Sequence, residues 1–134
     1  MAAQSTATLF IFAPMKIFKK FTFDSAHFLP MVPDGHKCKE THGHTYQLTA
    51  FFEGELAAEL EWVMDFAEIK SVIDPIIKRI DHKLLNNIAG LENPTCEVIA
   101  VWLWNQIKPK IPMLTQIQLD ETPTSGVVYE GPSG

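Results

Sequence analysis

Between residues 16 and 27 apolar and polar positions alternate: Ile17, Phe21 and Phe23 share one parity, and Ser25 and His27 continue it. A period of two predicts a half-buried strand that ends on a histidine. Residues 42 to 53, with the aromatics Tyr46, Phe51 and Phe52, read as a second strand. Between the two, residues 28–40 contain Pro30, Pro33 and Gly35 and read as a long irregular loop, of a length that usually serves function in a compact domain. The segment 54–61, with Glu55, Glu59 and Glu61, reads as a solvated connection.

The period then changes. Asp65, followed three residues on by Glu68, is a capping-box-like helix start. The helix it opens carries Phe66, Ile69, Val72, Ile73, Ile76, Ile77 and Ile80 on one broad apolar face. Pro75 inside that pattern predicts a kink or an interruption. Asn93-Pro94-Thr95 opens a second helix with Thr95 as its N-cap. Val98, Val101, Trp102 and Ile107 are expected to face inward, and Pro109 and Pro112 to end the helix. Two more strands, over residues 114–121 and 126–130, flank a turn at 122–125. The order ββααββ predicts an α+β domain, a four-stranded antiparallel sheet with two helices on one face. Residues 1–14 read as an N-terminal extension and 15–134 as the folded domain, because Met15 can itself begin it; the tail from Gly131 reads as frayed.

Sixteen acidic against eleven basic residues give a formal charge of −5, so the basic surplus of a generic nucleic-acid binder is missing. The longest apolar run, residues 9–15 with Pro14 inside it, is far short of the roughly 20 residues that span a bilayer. No membrane and no nucleic-acid partner are expected. No Lys or Arg precedes Lys16, which argues against a secretory signal. The two cysteines, Cys38 and Cys96, are read as unlinked thiols in a reducing, cytoplasmic setting. A domain this small often adds a metal or partner subunits.

Four of the five histidines fall between residues 27 and 44. In His42-Gly43-His44 the two imidazoles project to one face of a strand, and Gly43 leaves the opposite face bare for the approach of a backbone or a ligand. With His27 at the end of the neighbouring strand, three nitrogens can surround a zinc ion and leave one position open, the arrangement of a catalytic site. The competing reading is three surface histidines hydrogen-bonded in place. Cys38, flanked by Lys37 and Lys39, can act as a base or nucleophile, can close the metal site as a fourth ligand, or can be a plain loop thiol. Asp81-His82 offers a carboxylate to orient an imidazole for acid–base work, or simply a helix-end histidine. Glu121 can accept two parallel hydrogen bonds from an amidine-like edge, such as that of a pterin or guanine, or be an ordinary exposed glutamate. Glu97 reads most simply as a helix-dipole residue. Lys16, Lys19, Lys20, Lys37 and Lys39 form the basic concentration, able to attract a phosphorylated substrate or merely to solubilise a strand and a loop.

Taken in order, FTFDSAHFLP, GHKCKETHGHTY, VMDFAEIK, DHKLLN, LENPTCEVIAVWLW and the terminal DET resemble the 6-pyruvoyltetrahydropterin synthase superfamily over nearly the whole chain after its extension. The Cys-x3-His-Gly-His spacing is similar to its 6-carboxytetrahydropterin synthase branch, of queuosine biosynthesis. The resemblance implies a tunnelling fold, in which subunits join their sheets into a barrel, two trimers stack into a hexamer, and active sites lie between subunits. It implies Zn2+ on His27, His42 and His44, Cys38 as the proton-abstracting thiolate, and Asp81-His82 as the paired acid/base, which sites between subunits allow a neighbouring chain to supply. Glu121 would anchor the pterin, assisted by Thr95 and Glu97. The implied substrate is 7,8-dihydroneopterin triphosphate and the implied products are 6-carboxytetrahydropterin, acetaldehyde and triphosphate. The sister activity, which stops before carbon–carbon cleavage, and a non-catalytic pterin-binding module are the alternatives. Cys96 departs from the small hydroxyl residue that relatives often carry.

Overall fold

A computed structural model describes residues 13–133 of the chain. Strand β1 (Met15–His27) and strand β2 (His42–Gly54) form a long antiparallel ribbon. Helix α1 (Phe66–Lys78) and helix α2 (Cys96–Ile107) follow, then strands β3 (Leu114–Thr122) and β4 (Ser125–Tyr129). The sheet runs β1-β2-β3-β4 and is antiparallel throughout. Short 3-10 turns at Lys37–Lys39 and Leu85–Asn87 were not expected from the sequence pattern. Of the expected extension, residues 1–12 lie outside the described residues, and β1 begins at Met15.

Alternation decides which face is covered. Phe21 and Phe23 of β1, Tyr46, Leu48, Ala50 and Phe52 of β2, and Ile117 and Leu119 of β3 are buried on one face, where both helices pack. Helix α1 contributes Ile69, Ile73, Ile76 and Ile77 to this core. From α2 come Ile99, Leu103, Trp104 and Ile107. Among the described residues the other sheet face carries no helix, and Phe18 and Val128 are exposed on it.

The caps fall where the sequence placed them. Asp65 accepts a hydrogen bond from the Ala67 N–H at 2.9 Å, and the Thr95 hydroxyl accepts one from Val98 at 3.2 Å. Asp65→Ala is expected to cost about 1 kcal/mol, read as a lower urea midpoint at unchanged slope.

Four expectations need correction. Pro75 does not interrupt α1, which continues to Lys78. Phe66 is 50% exposed, because the first turn of α1 overhangs the core. Val101 is 37% exposed; α2 buries so much of its surface that the inward stripe includes Cys96, Ala100 and Trp104 instead. The tail is seated at its start: Gly131 has a positive φ of 89°, and a Cβ there would come within 2.5 Å of the Trp104 ring.

Candidate metal centre and active site

The histidines sit where β1 and β2 end together. In the ribbon register His27 stands directly opposite His42, and Ser25 opposite His44. β3 pairs with β2 only from Gln47 onward, so the His42–Tyr46 stretch extends beyond the main sheet. One nitrogen from each of His27, His42 and His44 falls within 4.8 Å of the other two. The ring centroids are 4.6, 5.1 and 4.9 Å apart. Cys38 is not in this set, so the geometry favours three nitrogens over a closed four-ligand site.

Whether these rings suit a cation can be tested on their protons. His27 Nδ1 lies 2.8 Å from the carbonyl oxygen of Pro94, and His42 Nδ1 lies 2.7 Å from that of Glu40. A carbonyl only accepts, so both Nδ1 atoms donate, and in the neutral rings both Nε2 atoms keep bare lone pairs. Those two Nε2 atoms face each other at 3.0 Å. Neither can donate to the other unless one ring gains a second proton. Burial opposes that gain, holding the His27 pKa below the usual imidazole value. The third nitrogen, His44 Nε2, is buried without a hydrogen-bond partner; Glu121 Oε1, at 3.9 Å, is beyond bonding distance. Two imidazole nitrogens with bare lone pairs, joined by a third that is buried without a partner, are the donor set of a zinc site with room for substrate. The two carbonyl contacts are the outer-sphere bonds that fix such ligands.

Cys38 is half-buried in the Lys37–Lys39 turn; its carbonyl accepts from the Leu29 N–H at 2.8 Å and its N–H donates to His36 Nδ1 at 3.0 Å. Lys39 is committed to Asp34 and to the Val32 carbonyl.

Asp81-His82 lies past the end of α1, against the outer edge of β1. The Asp24 N–H donates to Asp81 Oδ1, and the Asp24 carbonyl accepts from the His82 N–H. This clip holds His82 in the left-handed region at φ 57°, sparsely populated for a non-glycine residue. Asp81 Oδ1 is 3.0 Å from His82 Nδ1, which leaves Nε2 as the outward-facing nitrogen of a side chain 76% exposed. The Asp24 N–H bond holds the Asp81 carboxyl below the usual carboxylate range.

Glu121 occupies a bulge. Asp120 pairs with Gly126 and Thr122 with Ser125, so Glu121 has no partner on β4 and is turned toward His44. It lines a hollow of about 600 Å³ with His44, Gln47 and Thr122. Thr95 is spent on its cap. Glu97 is exposed in a separate shallow hollow beside Trp102 and is not brought to the histidines within this subunit. Cys96 is buried, donates to the Leu119 carbonyl at 3.4 Å, and burial pushes its pKa up to about 12, so it ties α2 to β3 as a neutral thiol.

Sequence reasoning missed two residues. Tyr46 continues the parity of His42 and His44 and backs them, stacked on Phe23; its spacing was the available signal. Asp24, bonded through its carboxylate to the Thr45 hydroxyl, left no signal beyond exposed-strand polarity.

A two-layer ββααββ subunit with this histidine trio at the ribbon end is the architecture of a known enzyme family. The sequence pattern of that family, 6-pyruvoyl tetrahydropterin synthase, matches residues 16–132, and the chain belongs to it. It is 36% identical over 122 residues to the 6-carboxy-5,6,7,8-tetrahydropterin synthase of Synechocystis sp., covering 87% of this chain and 93% of that one. It is also 36% identical over 118 residues to the dihydroneopterin monophosphate aldolase of Pyrococcus furiosus, covering 86% and 96%. The 6-pyruvoyl tetrahydropterin synthase structure from Caenorhabditis elegans superposes with a TM-score of 0.84 over 90% of this chain and 98% of that one, at 22% identity, and shares the fold.

Proposed function

We propose that the protein is a zinc-dependent lyase that converts 7,8-dihydroneopterin triphosphate and water into 6-carboxy-5,6,7,8-tetrahydropterin, acetaldehyde and triphosphate, a step of queuosine-type 7-deazapurine synthesis. The observation that carries this reading is the convergence of three imidazole nitrogens at the end of the ribbon, two with bare lone pairs and one buried without a partner. The relatives named as 6-carboxy-5,6,7,8-tetrahydropterin synthases support the choice of product.

His27, His42 and His44 would hold the zinc. When bound, the metal supplies a Lewis acid for the two side-chain hydroxyls, which makes the hydrogens on their carbons more acidic. Cys38 takes such a hydrogen as a proton, and His82 returns protons through Nε2 while Asp81 fixes its tautomer through Nδ1. Glu121 receives the ring's amino and N–H edge on its two oxygens. Thr95, next to the Pro94 carbonyl that meets His27, would assist at the ring, and Glu97, exposed on α2, would join it from an adjoining subunit. This fits a homo-oligomer, a hexamer of two stacked trimers, with sites completed between copies. No helix among the described residues is long and apolar enough to cross a membrane, and both cysteines are free, as suits a cytoplasmic enzyme.

The deciding experiment is incubation of the zinc-loaded protein with dihydroneopterin triphosphate and mass-spectrometric identification of every product. Acetaldehyde with a carboxylated pterin supports the reading. A retained three-carbon side chain moves the chain to pyruvoyl chemistry. A two-carbon fragment that keeps its phosphate points instead to aldolase chemistry, the second reading favoured by the Pyrococcus furiosus relative. Glu121→Gln is expected to weaken pterin binding by about 1.5–3 kcal/mol, measured by calorimetry, with zinc content unchanged.

A further inference from the structure

On the sheet face opposite the core lies an open dish of about 470 Å³. Its floor is the cross-strand pair Ala26 and Gly43, and its walls include Asp24, Thr45, His82 and Lys83. Gly43 is unexplained by the fold. Its φ is outside the left-handed region, so any residue can adopt its backbone. A Cβ built on it would meet only the Ser25 carbonyl oxygen, at 3.5 Å, an ordinary van der Waals contact. Glycine inside a strand weakens the strand, because it loses more freedom on folding and packs no side chain. Alanine would suit this backbone better, and its methyl group would stand free in the dish.

Two of the walls have chemistry to offer. His82 turns its free Nε2 outward. Lys83 supplies the cation of the lining and makes no ion pair among the described residues. The metal-facing rings share the core parity of the ribbon and the dish lies on its other face, so a substrate on which His82 acts brings its arm into this dish from the metal centre of an adjoining copy.

We propose that Gly43 is a specificity-determining residue whose bare position admits the phosphorylated arm of the substrate to His82, with Lys83 receiving its anionic end. The inference rests on the pterin-triphosphate reading and assigns that substrate's arm to a surface of the chain.

The test is calorimetric binding of dihydroneopterin triphosphate, of unphosphorylated dihydroneopterin and of unsubstituted pterin to zinc-loaded native, Gly43→Ala and Lys83→Ala proteins. One badly placed methyl group is worth roughly tenfold to a few hundredfold, so Gly43→Ala should weaken triphosphate binding by about tenfold or more. Its melting temperature should be equal or higher, its zinc content unchanged, and its affinity for unsubstituted pterin unchanged. Lys83→Ala should weaken the triphosphate alone and leave unphosphorylated dihydroneopterin as before. Native-like triphosphate binding by Gly43→Ala overturns the inference and leaves the proposed reaction standing. Native protein that binds the triphosphate without turning it over, with the Gly43→Ala loss intact, keeps the inference and sinks the reaction. Native protein that fails to bind the triphosphate removes both.

Discussion

Cys38→Ala is expected to lower turnover of dihydroneopterin triphosphate by a factor of about 10²–10⁴, the usual worth of a positioned proton-transfer group, while zinc content and substrate affinity stay native. The separation is possible because the thiol stands outside the cluster of metal-facing nitrogens. The loop that carries it is fixed by contacts the substitution leaves alone: the Cys38 carbonyl to Leu29, the Cys38 N–H to His36, and Lys39 to Asp34. Loss of the thiol therefore removes chemistry without removing the scaffold. Single-turnover kinetics alongside elemental analysis check this, and undiminished turnover would strip Cys38 of its catalytic role.

The second large effect falls on the metal. His42→Ala should lower zinc affinity by well over a hundredfold, since deleting a ligand costs more than disturbing an outer-sphere contact, itself worth roughly tenfold to a hundredfold. Elemental analysis after dialysis should then find far less than one zinc per subunit; stoichiometric zinc would break the ligand assignment. The metal-free forms should behave in the opposite sense. His42 and His27 press two bare Nε2 atoms together at 3.0 Å, and the substitution relieves that contact. Metal-free His42→Ala is accordingly expected to melt no lower than the metal-free native chain, while added zinc should raise the melting temperature of the native chain alone.

Much of this was legible in the pattern of residues. Strict alternation placed His27 on the buried parity of β1, and the two-residue spacing of His42 and His44 placed both on one face of β2. Both caps, Asp65 and Thr95, were visible as short polar residues before apolar runs. The direction of Glu121 was not, because the bulge that turns it depends on how β3 and β4 count against each other, and no residue of β3 alone announces it. The left-handed His82 was hidden for a similar reason: its conformation is imposed by the main chain of Asp24, fifty-eight positions earlier. Phe66 and Val101 were misplaced because helical periodicity shows which residues share a stripe and not where the stripe meets the sheet. Glu97 shows the same gap at the site, since its place in the first turn of α2 does not say which neighbour that turn faces.

The bonds that orient two of the three imidazoles end on main-chain oxygens, those of Pro94 and Glu40. Such acceptors survive every side-chain replacement at their own positions. Variation in a gene can thus erode the ligands themselves far more readily than their alignment. Retuning the grip on the ion has to proceed through the shape of the two connections that carry these oxygens, by insertion, deletion or an altered turn, and lineages that differ in metal affinity should differ there in length before they differ in chemistry.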